Sequence, residues 1–329
     1  MEMSFGEKRR FQICLEKGGP ILSLCWDGDD LVDWAGGGRR FSLDGSITRP
    51  NVLWAYPFDR AICSRNGNYQ IIYQTLGTKG LIIQGNKLIR EINRSFYHAD
   101  VYEYPIAFVC CPGRGVGIAH CPAEYCRLEI EDVESGKPLT WRSGKSPDFF
   151  HSRLQTSLDG KYLLSAGWVW HPIDHACLFS IEKAFRDPAH LDNPIDFELP
   201  DEFSEVNSAT FQGNDALLLA GSSESGDSKA FIGRYNLKEA TIETKSALET
   251  APGNIMAVGS DHFVGFHEYP KLFEISSGKI IRSWPELKSG TRYSSIIHHL
   301  EPQPAVALDP VHQRFAVANE AGITVIELG

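Results

Sequence analysis

The stretch RLQTSLDGKYLLSAG, residues 153–167, decides how the chain is read. Ser-Leu-Asp-Gly is tight-turn chemistry: the aspartate can bond its own backbone two residues on, and glycine enters the left-handed region with no Cβ in the way. The run that follows, KYLLSAG, is apolar but too short for a helix, which suits a strand buried on both faces. Strand, turn and strand together make a hairpin.

The same form recurs along the chain as ILSLCWDGDDLVDWAG (21–36), AICSRNGNYQIIYQT (61–75), IAFVCCPGRGVGIAHC (106–121), NSATFQGNDALLLAG (207–221), IMAVGSDHFVGFHE (255–268) and AVALDPVHQRFAVAN (305–319). Measured at the second turn residue (Gly28, Gly67, Gly113, Gly160, Gly213, Asp261, Pro310), the spacing is 39 to 53 residues. A third and often a fourth strand-like run follows each hairpin, as in AFIGRYNLKEATIETK (230–245) and GITVIELG (322–329). Helical character is confined to a short turn around Ile181–Phe185 within ACLFSIEKAF (176–185). Repeats of this length stack as supersecondary units that bury their faces against their neighbours. The last unit ends after three strands, and RRFQICLEK (9–17) is strand-like without a partner nearby, so it is expected to close the ring as the missing fourth strand. The fold class read from this pattern is all-β: a seven-bladed β-propeller with ring closure by the N-terminal strand. One domain is expected over 1–329, with blades near 19–54, 55–101, 102–146, 147–201, 202–250, 251–290, and 291–329 plus 10–17.

SLDGKYLLSAG (157–167) resembles the first hairpin of WD40-type and related bacterial propeller repeats. DVESGKPLTW (132–141) and EISSGKIIRSW (274–284) resemble the turn between third and fourth strands in those repeats and in quinoprotein-like blades. The resemblance spans essentially the whole chain and implies architecture, since a Ser-Gly-Lys turn needs only one glycine at positive φ and names no ligand. No blade carries the Gly-His and Trp-Asp pairs of WD40 repeats, and Trp26-Asp27 lies in a different turn. The quinoprotein turn with its tryptophan occurs at most twice and with altered spacing, so no quinone cofactor is implied. Cys110-Cys111 resembles the vicinal cysteines of some quinoprotein dehydrogenases, but on an innermost strand both are expected as buried thiols.

The chain has 32 Lys and Arg against 42 Asp and Glu, a net charge of -10, so its average field repels nucleic acid and anionic membranes. The basic pairs Arg9-Arg10 and Arg39-Arg40 lie in strand-like surroundings and are read as solvated strand faces. The first residues offer no apolar core of a secretory signal, and no run approaches a membrane span, so a cytoplasmic, monomeric, acidic protein is expected. Cys14, Cys25, Cys63, Cys110 and Cys177 fall in apolar runs, and all eight cysteines are expected free; Cys121 and Cys126 are the pair most able to bridge.

In such a ring the loops between second and third strands and the links between blades emerge at one end. That end collects His98, His120, His151, His171, His175, His267, His298 and His299 with Tyr56, Tyr97, Tyr102, Tyr104, Phe149, Phe150, Trp168, Trp170, Tyr269 and Tyr293. Rigid amphipathic rings give much contact area for little entropy, as binding surfaces do; long loops also pack their aromatics on one another, and the two readings weigh about evenly. GWVWHPIDHAC (167–177), taken as a loop, is the centre of this face: Trp168 and Trp170 are expected on one side as partner contacts, with His171 and His175 flanking them. The expected partner-binding set is Trp168, Trp170, His171, His175, Phe149, Phe150, His151, Tyr97, His98, Tyr102, Tyr104, Tyr269 and Tyr293.

Catalytic signals are absent from the sequence. There is no G-x-S-x-G elbow, H-E-x-x-H or phosphate loop, and GGGRR (36–40) precedes a strand and reads as a hairpin turn. His171 and His175 are four apart, but across Pro172 that spacing says little, and a third zinc ligand, Asp174 or His151, is not specified; His120, Cys121 and Cys126 read as loop groups. No metal site and no cofactor are expected. The acidic, proline-rich insertion RDPAHLDNPIDFELPDEFSE (186–205) reads as a solvated excursion around a short edge strand, DFELP, in preference to a docking strip for a basic partner. The function expected is a non-catalytic protein- or peptide-binding scaffold, in a specialised form a bacterial inhibitor or immunity-type partner of a toxin or effector. The alternative is a propeller enzyme, hydrolase or oxidoreductase, with a metal or cofactor at the central channel.

Overall fold

A computed structural model describes residues 5–15, 19–50, 52–195, 197, 199–200, 203–223, 229–297 and 303–329. These residues form seven antiparallel sheets, a β-propeller, following one another around a ring in chain order. The innermost strands are Cys25–Asp27, Arg60–Cys63, Ile106–Cys111, Gln155–Thr156, Glu205–Gln212, Ile255–Val258 and Val306–Asp309. Glu7–Cys14 pairs antiparallel with Gly322–Leu328 as the outermost strand of the seventh sheet, which therefore joins the two ends of the chain.

The runs of consecutive apolar residues follow from this stacking. Side chains alternate across a strand, and each sheet has a neighbour on both faces, so both parities must be apolar. In Ala216–Ser222, Leu217 and Leu219 pack against the fourth sheet beside Leu164 and Leu178, while Leu218 and Ala220 pack against the sixth beside Ile255 and Phe263. In Arg314–Asn319, Phe315 and Val317 face the sixth sheet, and Ala316 and Ala318 face the first.

The turns bear out their local chemistry. Ser157 Oγ donates to Asp159 Oδ1 and accepts from the amides of Lys161 and Tyr162, with Gly160 at φ +70°. Ser64 and Asn66 repeat the arrangement around Gly67, also at +70°. At the outer turns, the amides of Gly136 and Gly278 donate to the carbonyls of Asp132 and Glu274.

Two blades have three strands among the described residues. In the third, Pro138, which has no amide to donate, makes only an isolated bridge to Glu131. In the fourth, Ser180 caps a helix over Ile181–Arg186, followed by a 3-10 turn over Pro188–Leu191, and only Ile195 bridges back to Leu178. Of the expected edge strand DFELP, positions 196 and 198 lie outside the described residues. Arg39 is also drawn inward rather than solvated, pairing at 2.6 Å with the fully buried Asp33, whose carboxylate accepts from the amides of Ser23 and Gly36.

All eight cysteines are free thiols. Alternation turns Cys110 outward while Cys111 is buried, and Cys14 is likewise exposed, so these two are not the buried thiols expected from their apolar surroundings. Burial pushes the Cys111 thiol up to about 12. Anaerobic titration is expected to find eight thiols in the unfolded protein, and only Cys14 and Cys110 reacting fast in the folded one. A missing thiol after unfolding would reveal a disulfide.

Candidate functional site

Most of GWVWHPIDHAC is strand, not loop. Tyr162–Val169 and Ile173–Ser180 pair through Val169 and Ile173, leaving only Trp170, His171 and Pro172 as the turn. Phe150 bridges to Trp168 with hydrogen bonds in both directions. Gly167 permits that approach, since a Cβ there would lie 1.9 Å from the Phe150 carbonyl oxygen.

Trp168 is 3% exposed and stacks on Phe150 with centroids 3.8 Å apart and planes 9° from parallel. Tyr125 covers the ring of Phe150 at 4.2 Å, and Tyr102 meets it edge-on at 5.5 Å. Trp168, Phe150 and Tyr102 are thus a buried cluster, and Phe149, His151 and Tyr104 are buried as well. These six were expected as contact residues, and all of them are buried. His151 bonds Ser165 Oγ through Nδ1 at 3.1 Å, and burial pushes its pKa down to about 3, so it is neutral.

Over Tyr102, Phe150 and Trp168 lies the link between the sixth and seventh sheets. Ile296 bridges to Tyr102, and the Ile297 amide donates to Val101 O at 2.7 Å. Ser295 donates to Asp174 Oδ1 from its amide at 3.0 Å and also from its hydroxyl, while Asn207 Nδ2 donates to Asp174 Oδ2 at 3.0 Å. Tyr102 and Asp174 belong to the approach to the third sheet and to the fourth sheet, across the ring from this link. Residues 291–297 therefore form a strap over one end of the channel. Asp174, one of the residues weighed as a third metal ligand, is the buried anchor of that strap.

The remaining expected residues stay accessible. Tyr97 is 45%, Trp170 40% and Tyr293 50% exposed; His98 and His171 are exposed, and His175 and Tyr269 are half-buried. Trp170 stands edge-on to Trp168 at 5.2 Å and to Phe150 and His98 at similar distances. His98 and His171 adopt left-handed backbone, at φ +52° and +107°, a strain that concentrates at functional sites. Phe96, 87% exposed beside them, was not singled out in the sequence. His120 is buried on its strand with Nε2 3.2 Å from Glu131 Oε2, and His298 and His299 lie outside the described residues. Among the described residues no three His, Cys, Asp or Glu side chains converge as metal ligands, and no helix is long and apolar enough to cross a membrane.

The sequence placed a possible cofactor site at the central channel but did not show which side chains line it. A cavity of about 470 Å³ lies between the innermost strands, and Arg60, Arg153 and Arg292 line it with Glu103. Arg153 donates from Nε to Ala166 O at 3.0 Å and from Nη1 to Asn254 Oδ1 at 3.1 Å. Arg292 Nη1 is 3.6 Å from Glu103 Oε2, and the Tyr73 hydroxyl donates to Glu103 Oε1 at 3.0 Å. The available signal was position: Arg60 opens an innermost strand, and Glu103, Arg153 and Asn254 lie within three residues of the start of one.

No protein-family model and no curated protein matches the chain in sequence. Solved structures do match in shape. Hydrazine synthase of Kuenenia stuttgartiensis superposes with a TM-score of 0.61 at 13% identity, over 96% of this chain and 97% of that one. The Cps50 (Swd1) β-propeller domain of Myceliophteria thermophila gives 0.60 at 12% identity, over 96% and 99%. A catalytically inactive virginiamycin B lyase from Staphylococcus aureus with quinupristin gives 0.60 at 16% identity, over 98% and 99%. At such identities these likenesses show the fold alone, and with seven sheets in ring order the chain is a seven-bladed β-propeller.

Proposed function

We propose that this propeller is a non-catalytic protein- or peptide-binding scaffold whose contact surface is the accessible rim of its aromatic face: Tyr97, His98, Trp170, His171 and Tyr293, with Phe96 added and His175 and Tyr269 behind. The observation that carries the reading is Trp170. It is 40% exposed, yet fixed edge-on against a buried ring stack, so an apolar anchor is presented with little entropy left to lose on binding. The buried rings beneath give the rim its rigidity. A net charge of -10 favours a basic partner, as a toxin- or effector-blocking form would require.

Affinity capture from native cells, followed by titration of the captured partner, tests this. Truncating a central interface aromatic typically costs about 2 kcal/mol, near thirtyfold in Kd. The Trp170→Ala, Tyr97→Ala pair is expected to reach that loss with an unchanged melting temperature, and the His171→Ala, His175→Ala pair to do much less. Capture unaffected by the aromatic pair would end the reading.

The second reading, an enzyme working over the channel, is favoured by the arginine-lined cavity there; two of the three structural neighbours are named as enzymes. A stoichiometric metal or chromophore in the purified protein would move the assignment to it.

A further inference from the structure

The channel cavity holds charge that the rest of the molecule does not explain. Among its described lining residues are the guanidinium groups of Arg60, Arg153 and Arg292 and a single carboxylate, Glu103, in a chain that is acidic as a whole. Arg153 Nη2 and Arg292 Nε are buried and have no hydrogen-bond partner among the described residues. Arg153 is held at φ +46°, a left-handed conformation that an arginine adopts at a cost, and its two bonds to Ala166 and Asn254 fix it there. Burial lowers the pKa of both Arg153 and Arg292, the latter further through repulsion by Arg60, and the nearby carboxylates (Asp174 and Glu103 for Arg153, Glu103 and Asp59 for Arg292) offset this only in part.

We propose that the channel cavity is a binding site for a small oxyanion, held by Arg60, Arg153 and Arg292. Glu103 is already engaged by Arg292 and Tyr73, and Asp174, whose charge also favours Arg153, is bonded by Ser295 and Asn207, so neither carboxylate meets the open N–H groups of the two arginines. Guanidinium groups present planar N–H forks matched to carboxylate and phosphate oxygens, and the free N–H groups of Arg153 and Arg292 supply the donors. Asn254 and Gln155 support the site: Asn254 orients Arg153, and Gln155 is tied to Ala209 and Thr210. About 470 Å³ accommodates a small organic anion as well as an inorganic one, with Ile62, Ile106 and Ile255 offering apolar wall. The strap closes one end, so the ligand enters from the other, where the lining includes the exposed Leu308 and Pro310. The site does not depend on the partner-binding rim, and its test involves no partner.

The full-length protein is titrated calorimetrically with inorganic phosphate and with succinate at millimolar concentrations, against chloride of matched ionic strength, and its melting temperature is followed in parallel. One of the two probes is expected to bind and to raise the melting temperature with the logarithm of its concentration, which also separates phosphate esters from dicarboxylates as the ligand class. Arg60→Gln, whose side chain makes no hydrogen bond that the fold depends on, is expected to weaken binding about tenfold or more. Arg153→Asn, chosen because asparagine tolerates left-handed backbone, is expected to do the same, and the exposed Arg114→Gln to leave binding unchanged. Should Arg153→Asn fail to fold, Arg60→Gln decides alone. Binding of neither probe beyond the chloride control, or binding that persists at full strength in a folded Arg60 or Arg153 variant, would overturn the proposal.

Discussion

Alanine at position 168 is expected to destabilise the protein by about 3–5 kcal/mol, the usual cost of removing a buried tryptophan. Trp168 is 3% exposed, and its ring fills the space between Phe150, Tyr102, Val101, Tyr125 and Ile296. Its removal leaves a cavity beneath the strap and takes away both the parallel stack on Phe150 and the edge contact with Trp170. The indole Nε1 has no partner among the described residues, so part of the burial gain is already offset, and Trp168→Phe is expected to recover much of the loss. Trp170→Ala, two residues on but 40% exposed, is expected to stay within about 0.5 kcal/mol of the parent. Denaturant unfolding measures all three. Equal, small effects at both tryptophans would show that the buried stack does not hold the face together.

A chain beginning at Gly18 is expected to lose on the order of 5 kcal/mol and to associate. Ile13 is fully buried against Ile323 and Val325, and Phe11 and Leu15 pack on the same cluster. Glu7 accepts from Trp284 Nε1 at 2.6 Å and from Arg10 and Arg282, which together hold its carboxyl below the usual range despite burial. Removing the strand strips these contacts and bares the ladder edge of Gly322–Leu328, a template for pairing with a second chain. The melting temperature and the light-scattering mass of the shortened chain are the readouts. An unchanged melting temperature with a monomeric mass would mean that the seventh sheet is complete without its N-terminal strand.

The strands of the propeller were legible because their signals are local. A turn such as Ser157–Gly160 is closed by bonds within five residues, and a run such as ALLLA in the fifth sheet declares a strand covered on both faces. In the fourth blade the helical turn read around Ile181–Phe185 is a helix over Ile181–Arg186, capped by Ser180; what local signals did not show is that the sheet there keeps only three strands.

The sequence by itself determined the all-β class, the count of repeating units, the strand-like character of the N-terminal segment and the gathering of aromatics at one end of the ring. Only the tertiary structure decided which of those aromatics are covered. Trp168 and Trp170 share a parity and a stretch of chain, yet one is buried and the other accessible, because Ile296 and Ser295 arrive from more than a hundred residues away to close over Tyr102 and anchor on Asp174. The arginines of the channel were hidden for the same reason: Arg60, Arg153 and Arg292 are unconnected in sequence and converge only once the ring is closed. Periodicity and turn chemistry act over a few residues and can be read from them, whereas burial and charge convergence depend on segments the ring brings together from opposite sides.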